Sequence, residues 1–566
     1  MAEESQSNSP TVLRSINWRE VFPFTNIFRG FRIAVHPSKL VLGLLALLSL
    51  YLGGRVMDAI WPTGSLANPG EIAAYQSFVD ATPKADFSEK IKKDREGMEA
   101  RYGSILRQAG ILTDDAAIKE AAKKFARRSE LESKRMWIAN TAIEEAAKAK
   151  TKAIEEANKL DTEKKKKGIE DAEAAYKKAF LENKSEAGSD IAQLRRVVPE
   201  GIFKAFFEYE VQQVNGVAYA VWQNEWLAKG GVKDCVVNFF SVGPVWLWKY
   251  HTVYAVIFTV LFLLVWAVFG GAISRIAAVH VARDEKISVR QALRFSLNKV
   301  LSFIFAPVIP LVIVAIIGLV IAVGGLLLYI PVAGPIVVGA MFFLALTASV
   351  VITLVLFGTI GGFGLMYPTI AVEGSDSFDA ISRSFSYVFA RPWRMVFYTA
   401  VAIGYGAFTY LFVRFFVWIV LLVTHTFAGL FLSGAESGGT AYWFSQMWPE
   451  PGTFFSFKLP YEVNYAGLAW SESVASFLIS FWVYLLIALV GAYAISYFLS
   501  VSTILYALMR HEVDATEMED VYVEEMEDDL ADIAPATPAA APAASTFSPA
   551  TIQGTTADVK PPEGQA

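Results

Sequence analysis

The chain has 566 residues, is 54% hydrophobic and 14% aromatic, and carries only 19% charged residues. A soluble chain of this length holds more charge and does not gather its apolar residues in unbroken runs, so a water-soluble globule is excluded. The net charge of −5 averages basic loops with an acidic end; the lone Cys235 excludes an internal disulfide, and His36, His251, His280, His425 and His511 are too scattered to ligate a metal.

Residues 1–39 read as a basic terminus with an interfacial amphipathic helix. Phe24, Ile27, Phe28, Phe31 and Val35 fall at helical spacing with Arg29 and Arg32 off that face. Such a segment places its aromatics in the acyl boundary and its arginines near lipid phosphate. The first apolar run, 40–61, reaches the ~20 residues that cross a ~30 Å hydrocarbon core. Ser65-Leu66-Ala67 resembles a small-residue cleavage site, but about forty residues precede the run, which favours an uncleaved signal-anchor over a signal peptide. Near the end of this run Arg55 and Asp58, three apart, are placed to pair.

Residues 62–249 are expected to form a large helical domain on one side of the membrane. From 114 to 183 the chain is rich in Ala, Glu and Lys, a strongly helical composition. Ile143, Ala147, Ile154 and Ala157 give a thin coiled-coil-like seam, short of a full heptad register. Lys164-Lys-Lys-Lys-Gly168 is expected to bend one long helix into an antiparallel pair. That basic run reads as a solvated turn, since nearby acids nearly neutralise it, and nucleic acid is not an expected partner. From 197 to 250 aromatics crowd together, among them Phe203, Phe206, Phe207, Tyr209, Trp222, Trp226, Phe240, Trp246 and Trp248. Two readings stand: they sit at the membrane–water interface, or they form the core that joins the domain to the bundle.

Five longer apolar runs follow, at 250–273, 301–330, 332–366, 395–423 and 474–509. The fold class is therefore all-α: a six-helix transmembrane bundle of three hairpins, with the helical domain inserted between the first and second spans. The third and fifth spans, like the first, are entered through a basic amphipathic segment: Ser288-Val-Arg-Gln-Ala-Leu-Arg-Phe-Ser296 and Asp376-Ser-Phe-Asp-Ala-Ile-Ser-Arg-Ser384. These two align without gaps at a spacing of 88 residues, pairing Glu285 with Glu373, Ala292 with Ala380, Leu293 with Ile381 and Ser296 with Ser384. A parallel internal repeat and shared amphipathic composition both account for the match. Ser288 with Gln291 makes a capping box, and Thr516 with Glu519 offers a second. Pro307 and Pro310 should kink or unwind the third span. Residues 330–335 make a tight turn, and Gly358, Gly361, Gly362 and Gly364 give the fourth span a small-residue face for close helix contact.

Orientation follows from Lys and Arg. The loop 273–300 holds Arg275, Arg283, Lys286, Arg290, Arg294 and Lys299; the loop 367–394 adds Arg383, Arg391 and Arg394; the N-terminus adds Arg14, Arg19, Arg29, Arg32 and Lys39. The positive-inside rule puts these and both termini in the cytoplasm, in a bacterial inner membrane, with 62–249 outside. Phe28, Arg29, Arg32, Arg294, Arg383, Arg391, Trp393 and Arg394 are the expected interfacial anchors, with membrane lipids as partners. Trp443 to Phe457, in the last outer loop, is similarly aromatic. The end, 510–566, is acidic over 512–532 and then rich in Pro and Ala, a composition that stays disordered.

Intramembrane charge is costly and usually has a reason. Arg414 is the candidate for substrate or lipid contact: it faces the bundle interior and holds an anionic group, or it snorkels to the interface. No catalytic, metal or cofactor grouping is expected, nor a Glu/His pair at a membrane boundary. Residues 277–405, through Tyr367-Pro-Thr-Ile-Ala-Val-Glu-Gly-Ser-Asp-Ser-Phe-Asp-Ala-Ile-Ser-Arg-Ser384 and Phe389-Ala-Arg-Pro-Trp-Arg394, resemble the membrane domain that accompanies some bacterial glycerophosphodiester phosphodiesterases. The whole chain is similar to uncharacterised bacterial polytopic membrane proteins. The resemblance implies a membrane module and, with the phosphodiesterase's catalytic barrel lacking a counterpart here, no activity. Two functions are expected from these features: a non-enzymatic scaffold that meets one partner through 114–183 and another through 512–532, or a carrier or flippase for a lipid-like or anionic substrate.

Overall fold

A computed structural model describes residues 22–81, 86–433, 440–452, 454, 463 and 470–522. Arg14, Arg19, Phe455 to Phe457, and the acidic and Pro/Ala-rich stretch beyond 522 lie outside these residues. The described residues up to Val521 form one compact unit.

Among the described residues every regular element is helical, apart from one isolated bridge between Ala67 and Glu200. Six helices are long and apolar enough to cross a membrane: α2 (Pro37–Ile60), the continuous stretch Thr252–Arg283, Val300–Tyr329, α14 (Ala333–Glu373), α16 (Pro392–Gly429) and α18 (Trp470–Asp514). This is the architecture of a multi-pass membrane protein.

Before α2, a 3₁₀ turn Pro23–Arg29 leads into α1 (Gly30–Ala34). Between α2 and the second long helix come α3 (Glu71–Ala81), α4 (Ser88–Gln108), α5 (Asp115–Lys123), α6 (Arg128–Ala157), α7 (Thr162–Val197), α8 (Ile202–Trp222) and α9 (Val232–Tyr250). The second long helix comprises α10 (Thr252–Val265), a π turn Trp266–Gly270, and α11 (Gly271–Arg283). The remaining elements are α12 (Val289–Asn298), α13 (Val300–Gly325), α15 (Ser377–Ala390) and α17 (Thr440–Met447).

Several long helices outrun their apolar sequences. The second, expected to end at 273, continues to Arg283, and α14 runs to Glu373 rather than 366. The extensions hold polar groups, yet Ser274, Arg275, His280 and Thr369 are buried by protein. Hydropathy ends where lipid contact ends, whereas the helix ends where protein cover does. Pro307 and Pro310 both lie inside α13, which continues through them as helix. The turn into α14 is tighter than the prolines alone require: Ala333 N–H donates to Pro331 O at 2.8 Å, with Val332 at φ 67°.

One end of the bundle is basic. There Arg32 meets Asp284, Lys299 Nζ donates to Gly374 O (2.6 Å), Arg510 meets Glu373 (3.6 Å), and Arg394 pairs with Glu512. The amphipathic segments pack at this end. The Ser288–Gln291 capping box starts α12, and Asp376 caps α15 by accepting from Asp379 N–H. Ala292 and Ser296 of α12 are buried, as are their matched residues Ala380 and Ser384 of α15. Glu285 and Glu373 differ, the first exposed and the second enclosed by Arg383 and Arg510. Ser296 Oγ donates to Ala267 O in the π turn (2.7 Å), and Ser384 lies on Gly362. The glycine face is used as expected: Gly358, Gly361 and Gly362 meet Phe385, Ser384 and Val388 of α15.

The aromatic face of residues 24–35 rests in part on protein, while Phe28 and Val35 keep exposed surface. Phe24 meets Phe397, Phe28 meets Tyr405, and Phe31 meets both Phe412 and Tyr493. Ser496 Oγ of α18 closes this contact by donating to Ala34 O (2.7 Å).

The antiparallel pair is α6 and α7, but its bend falls at 158–161. Residues 164–168 lie inside α7, because lysines are good helix formers and the turn takes Asn158 and Asp161 instead. Thr516 starts no helix: α18 ends at Asp514, Ala515 turns at φ 53°, and Thr516 O instead lies 3.2 Å from His511 Nδ1. The chain then folds back on the bundle, with Arg510 donating to Asp520 (2.9 Å) and Val521 buried.

Candidate functional site

At the far end from the basic cluster, two charged side chains of the long helices hold the α8–α9 pair. Asp58 lies about 21 residues, or ~32 Å, along α2, and Arg414 a similar distance along α16. Asp58 accepts from Phe203 N–H (2.9 Å), Lys204 N–H (3.1 Å) and Tyr254 Oη (2.9 Å). It therefore serves as the N-terminal cap that α8 lacks locally, where Gly201 offers no side chain. The expected pairing with Arg55 is the weaker contact, at 3.8 Å with Arg55 half-exposed.

Arg414 is 1% exposed. Its Nη2 donates to Asn215 Oδ1 of α8 (2.9 Å) and its Nε to Phe454 O (3.2 Å), with the guanidinium 5.9 Å from the Phe454 ring. The side chain faces protein, and two of its donors go to α8 and to the segment after α17. Together Asp58 and Arg414 clasp α8 at both its start and its second half.

Of the aromatics of 197–250, some take the core role expected of them and others are exposed. Phe203, Tyr209 and Trp246 are buried in a core with Met57, Tyr75 and Tyr254, whereas Trp222, Trp226, Phe240 and Trp248 stay exposed. Between α8 and α9 lies a buried carboxyl, Glu210, whose two oxygens have no hydrogen-bond partner among the described residues. Burial pushes its pKa up to about 8.

The structure also assembles a Glu/His pair at this boundary that sequence spacing gave no reason to expect. Glu71 accepts from Asn68 N–H (2.8 Å) and from Trp246 Nε1 (3.0 Å), with His251 Nε2 at 3.5 Å. Trp246 is wholly buried, so the carboxylate ties the core of α9 to the start of α3.

The expected anchors lie at the basic end. Arg29 and Arg32 reach Asp284 (3.8 and 3.4 Å), Arg383 reaches Glu373 (2.9 Å) and Asp379 (3.1 Å), and Arg394 reaches Glu512. Arg294, Arg391 and Trp393 are exposed, Trp393 at 84%. Phe28 is half-exposed beside Tyr405, 5.0 Å between centroids.

The α6–α7 pair leaves this region as an arm. Phe180 of α7 meets Trp443 of α17 (6.0 Å), and Lys184 lies over the same ring (5.3 Å). Beyond that contact the arm continues ~28 Å to its bend. Trp137 (66% exposed) and Ile138 form an apolar patch on α6.

Set against known proteins, the chain matches no family model, no curated protein and no solved structure.

Proposed function

We propose that this protein is a non-enzymatic membrane scaffold that presents the α6–α7 arm to a protein partner. In this reading the six long helices form three hairpins in a bacterial inner membrane, with both termini in the cytoplasm. Residues 62–249 are then an extracytoplasmic insertion, and residues 512–532 are the cytoplasmic contact. The carrying observation is the clasp: Asp58 and Arg414 both hold α8, and Phe180 and Lys184 brace the arm on α17. A braced base suits presentation of a surface, and the exposed Trp137–Ile138 patch, which lies level with the brace where Arg135 meets Glu186, is of the aromatic kind that dominates binding energy. The carrier reading draws on Arg414 as a free cation for substrate. Its hydrogen bonds to Asn215 and Phe454 weigh toward a holding role. The resemblance of 277–405 to a membrane module without its enzyme accords with the same reading.

The test is gentle purification of the full-length protein from its native membrane, followed by mass spectrometry of what accompanies it. A stoichiometric protein that is lost with Trp137→Ala, while the monomer's elution and melting stay unchanged, supports the scaffold. Recovery of the same protein-free particle from wild type and variant overturns it.

A further inference from the structure

The basic end holds a group of cations with too little negative charge around them. Lys39 lies in the first turn of α2 and is 0% exposed. Its Nζ has no hydrogen-bond partner among the described residues. A buried ammonium without a partner is among the costliest states a side chain can hold. Its position worsens the cost, since the first turn of a helix is the positive end of its dipole and that turn of α2 carries no acid.

The neighbours add positive charge. The His36 ring stacks edge-on against His280 at 5.8 Å, and His36 Nδ1 is buried without a hydrogen-bond partner. Burial, with Lys39 and Lys286 close by, holds the His36 pKa below its ordinary value. Lys39 is within electrostatic reach of His280 as well. Among the described residues, one paired carboxylate, Asp284, stands against Arg32, Lys39, Lys286 and the two histidines. Its Oδ1 meets Arg32 (3.4 Å), His280 Nε2 (3.4 Å) and Arg29 (3.8 Å). Asp284 is itself mostly exposed, and Glu285 beside it points to solvent.

From this imbalance we infer that Lys39, His36 and His280 floor a binding site for a phosphate-bearing anion, with Arg32 and Lys286 at its rim. A phosphate fits each part of the arrangement. It is a compact multiple acceptor for an ammonium and imidazole N–H groups, and it favours a helix N-terminus. The site lies where a span enters the bilayer, so the phosphate comes from a phospholipid headgroup of the adjoining leaflet or from free phosphate in the water beside it. The inference is independent of the scaffold reading and of which side of the membrane the basic end faces.

The experiment uses full-length protein in detergent, with three variants. Lys39→Met removes the floor, Lys286→Gln removes an exposed rim charge that folding does not need, and Arg290→Gln removes an exposed charge outside the site. Native mass spectrometry reads retention of phosphatidylglycerol against phosphatidylcholine, and thermal unfolding reads the effect of inorganic phosphate. Wild type and Arg290→Gln should retain phosphatidylglycerol at least fivefold more than phosphatidylcholine. Lys39→Met should abolish that preference and Lys286→Gln should weaken it, which identifies a headgroup. A phosphate-dependent rise in melting temperature, absent in Lys39→Met, identifies the free anion. Equal lipid retention with no phosphate effect in wild type overturns the inference, as does wild-type behaviour of both Lys39→Met and Lys286→Gln.

Discussion

Asp58 and Gly201 fit so closely that a Cβ on Gly201 would fall 2.0 Å from Asp58 Oδ2. The carboxylate reaches the start of α8 only because residue 201 has no side chain. Asp58→Ala should therefore lower stability by about 2 kcal/mol, the sum of a lost cap and unsatisfied N–H groups. Gly201→Ala should cost a similar amount, and the double variant little more than either alone. Thermal unfolding in detergent checks all three; additive losses would show that the two residues act separately.

Arg414 and Asn215 form the second hold on α8. Arg414→Ala leaves Asn215 and the Phe454 carbonyl without their donor, at a cost of about 1–3 kcal/mol. Limited proteolysis after Trp222 should accelerate in this variant. Asn215→Ala should produce a smaller effect of the same kind, and a double-mutant cycle should return a coupling near 1 kcal/mol.

Glu210 predicts a pH dependence with a definite sign. Its folded pKa, about 8, is raised above the ordinary value of 4.5. The folded state thus binds the extra proton between those values. Stability is fully present below about pH 4.5 and declines as pH rises toward 8, at up to about 1.4 kcal/mol per unit. Glu210→Gln should leave melting at pH 4.5 unchanged and raise it at pH 8.5. Tyr209 and Cys235 flank this carboxyl, but both groups are neutral through most of that window. A variant with the wild-type pH profile would remove Glu210 from the account.

Val332 is exposed and holds a positive-φ γ-turn, a conformation that costs a β-branched residue about 1–3 kcal/mol. Val332→Gly relieves this strain and loses little packing, so it should raise the melting temperature despite the greater freedom of glycine in the unfolded chain. A fall would show that the turn is held without strain.

Much of the fold is legible in the sequence because lipid imposes a simple rule on it: runs of apolar residues are helices. The same rule misplaces the ends of the second and fourth long helices, because Ser274, His280 and Thr369 are sheltered by protein and not by lipid. Arg414 stands out as a charge in an apolar run, but Asn215, 199 residues earlier, carries no mark of its own. Lys39 reads as one more basic residue at a membrane entry until the structure encloses it. Glu71 and His251 are 180 residues apart, and only folding makes them a pair. The run Lys164–Gly168 does not mark the bend of the arm, because each lysine favours helix however loop-like a run of charge looks.

The contact of Ser496 with Ala34 joins residues 462 positions apart. This amphipathic segment therefore finds part of its resting place on a helix that is made much later. At about 5–20 residues per second, that wait is roughly 25 to 90 seconds. Until then the Ala34 carbonyl lacks its Ser496 donor, although Phe24 and Phe28 can already meet Phe397 and Tyr405 of α16. A chain cut short before α18 would lack the cover that this helix gives the Ala34 carbonyl, and its surface would differ there from that of the longer chain.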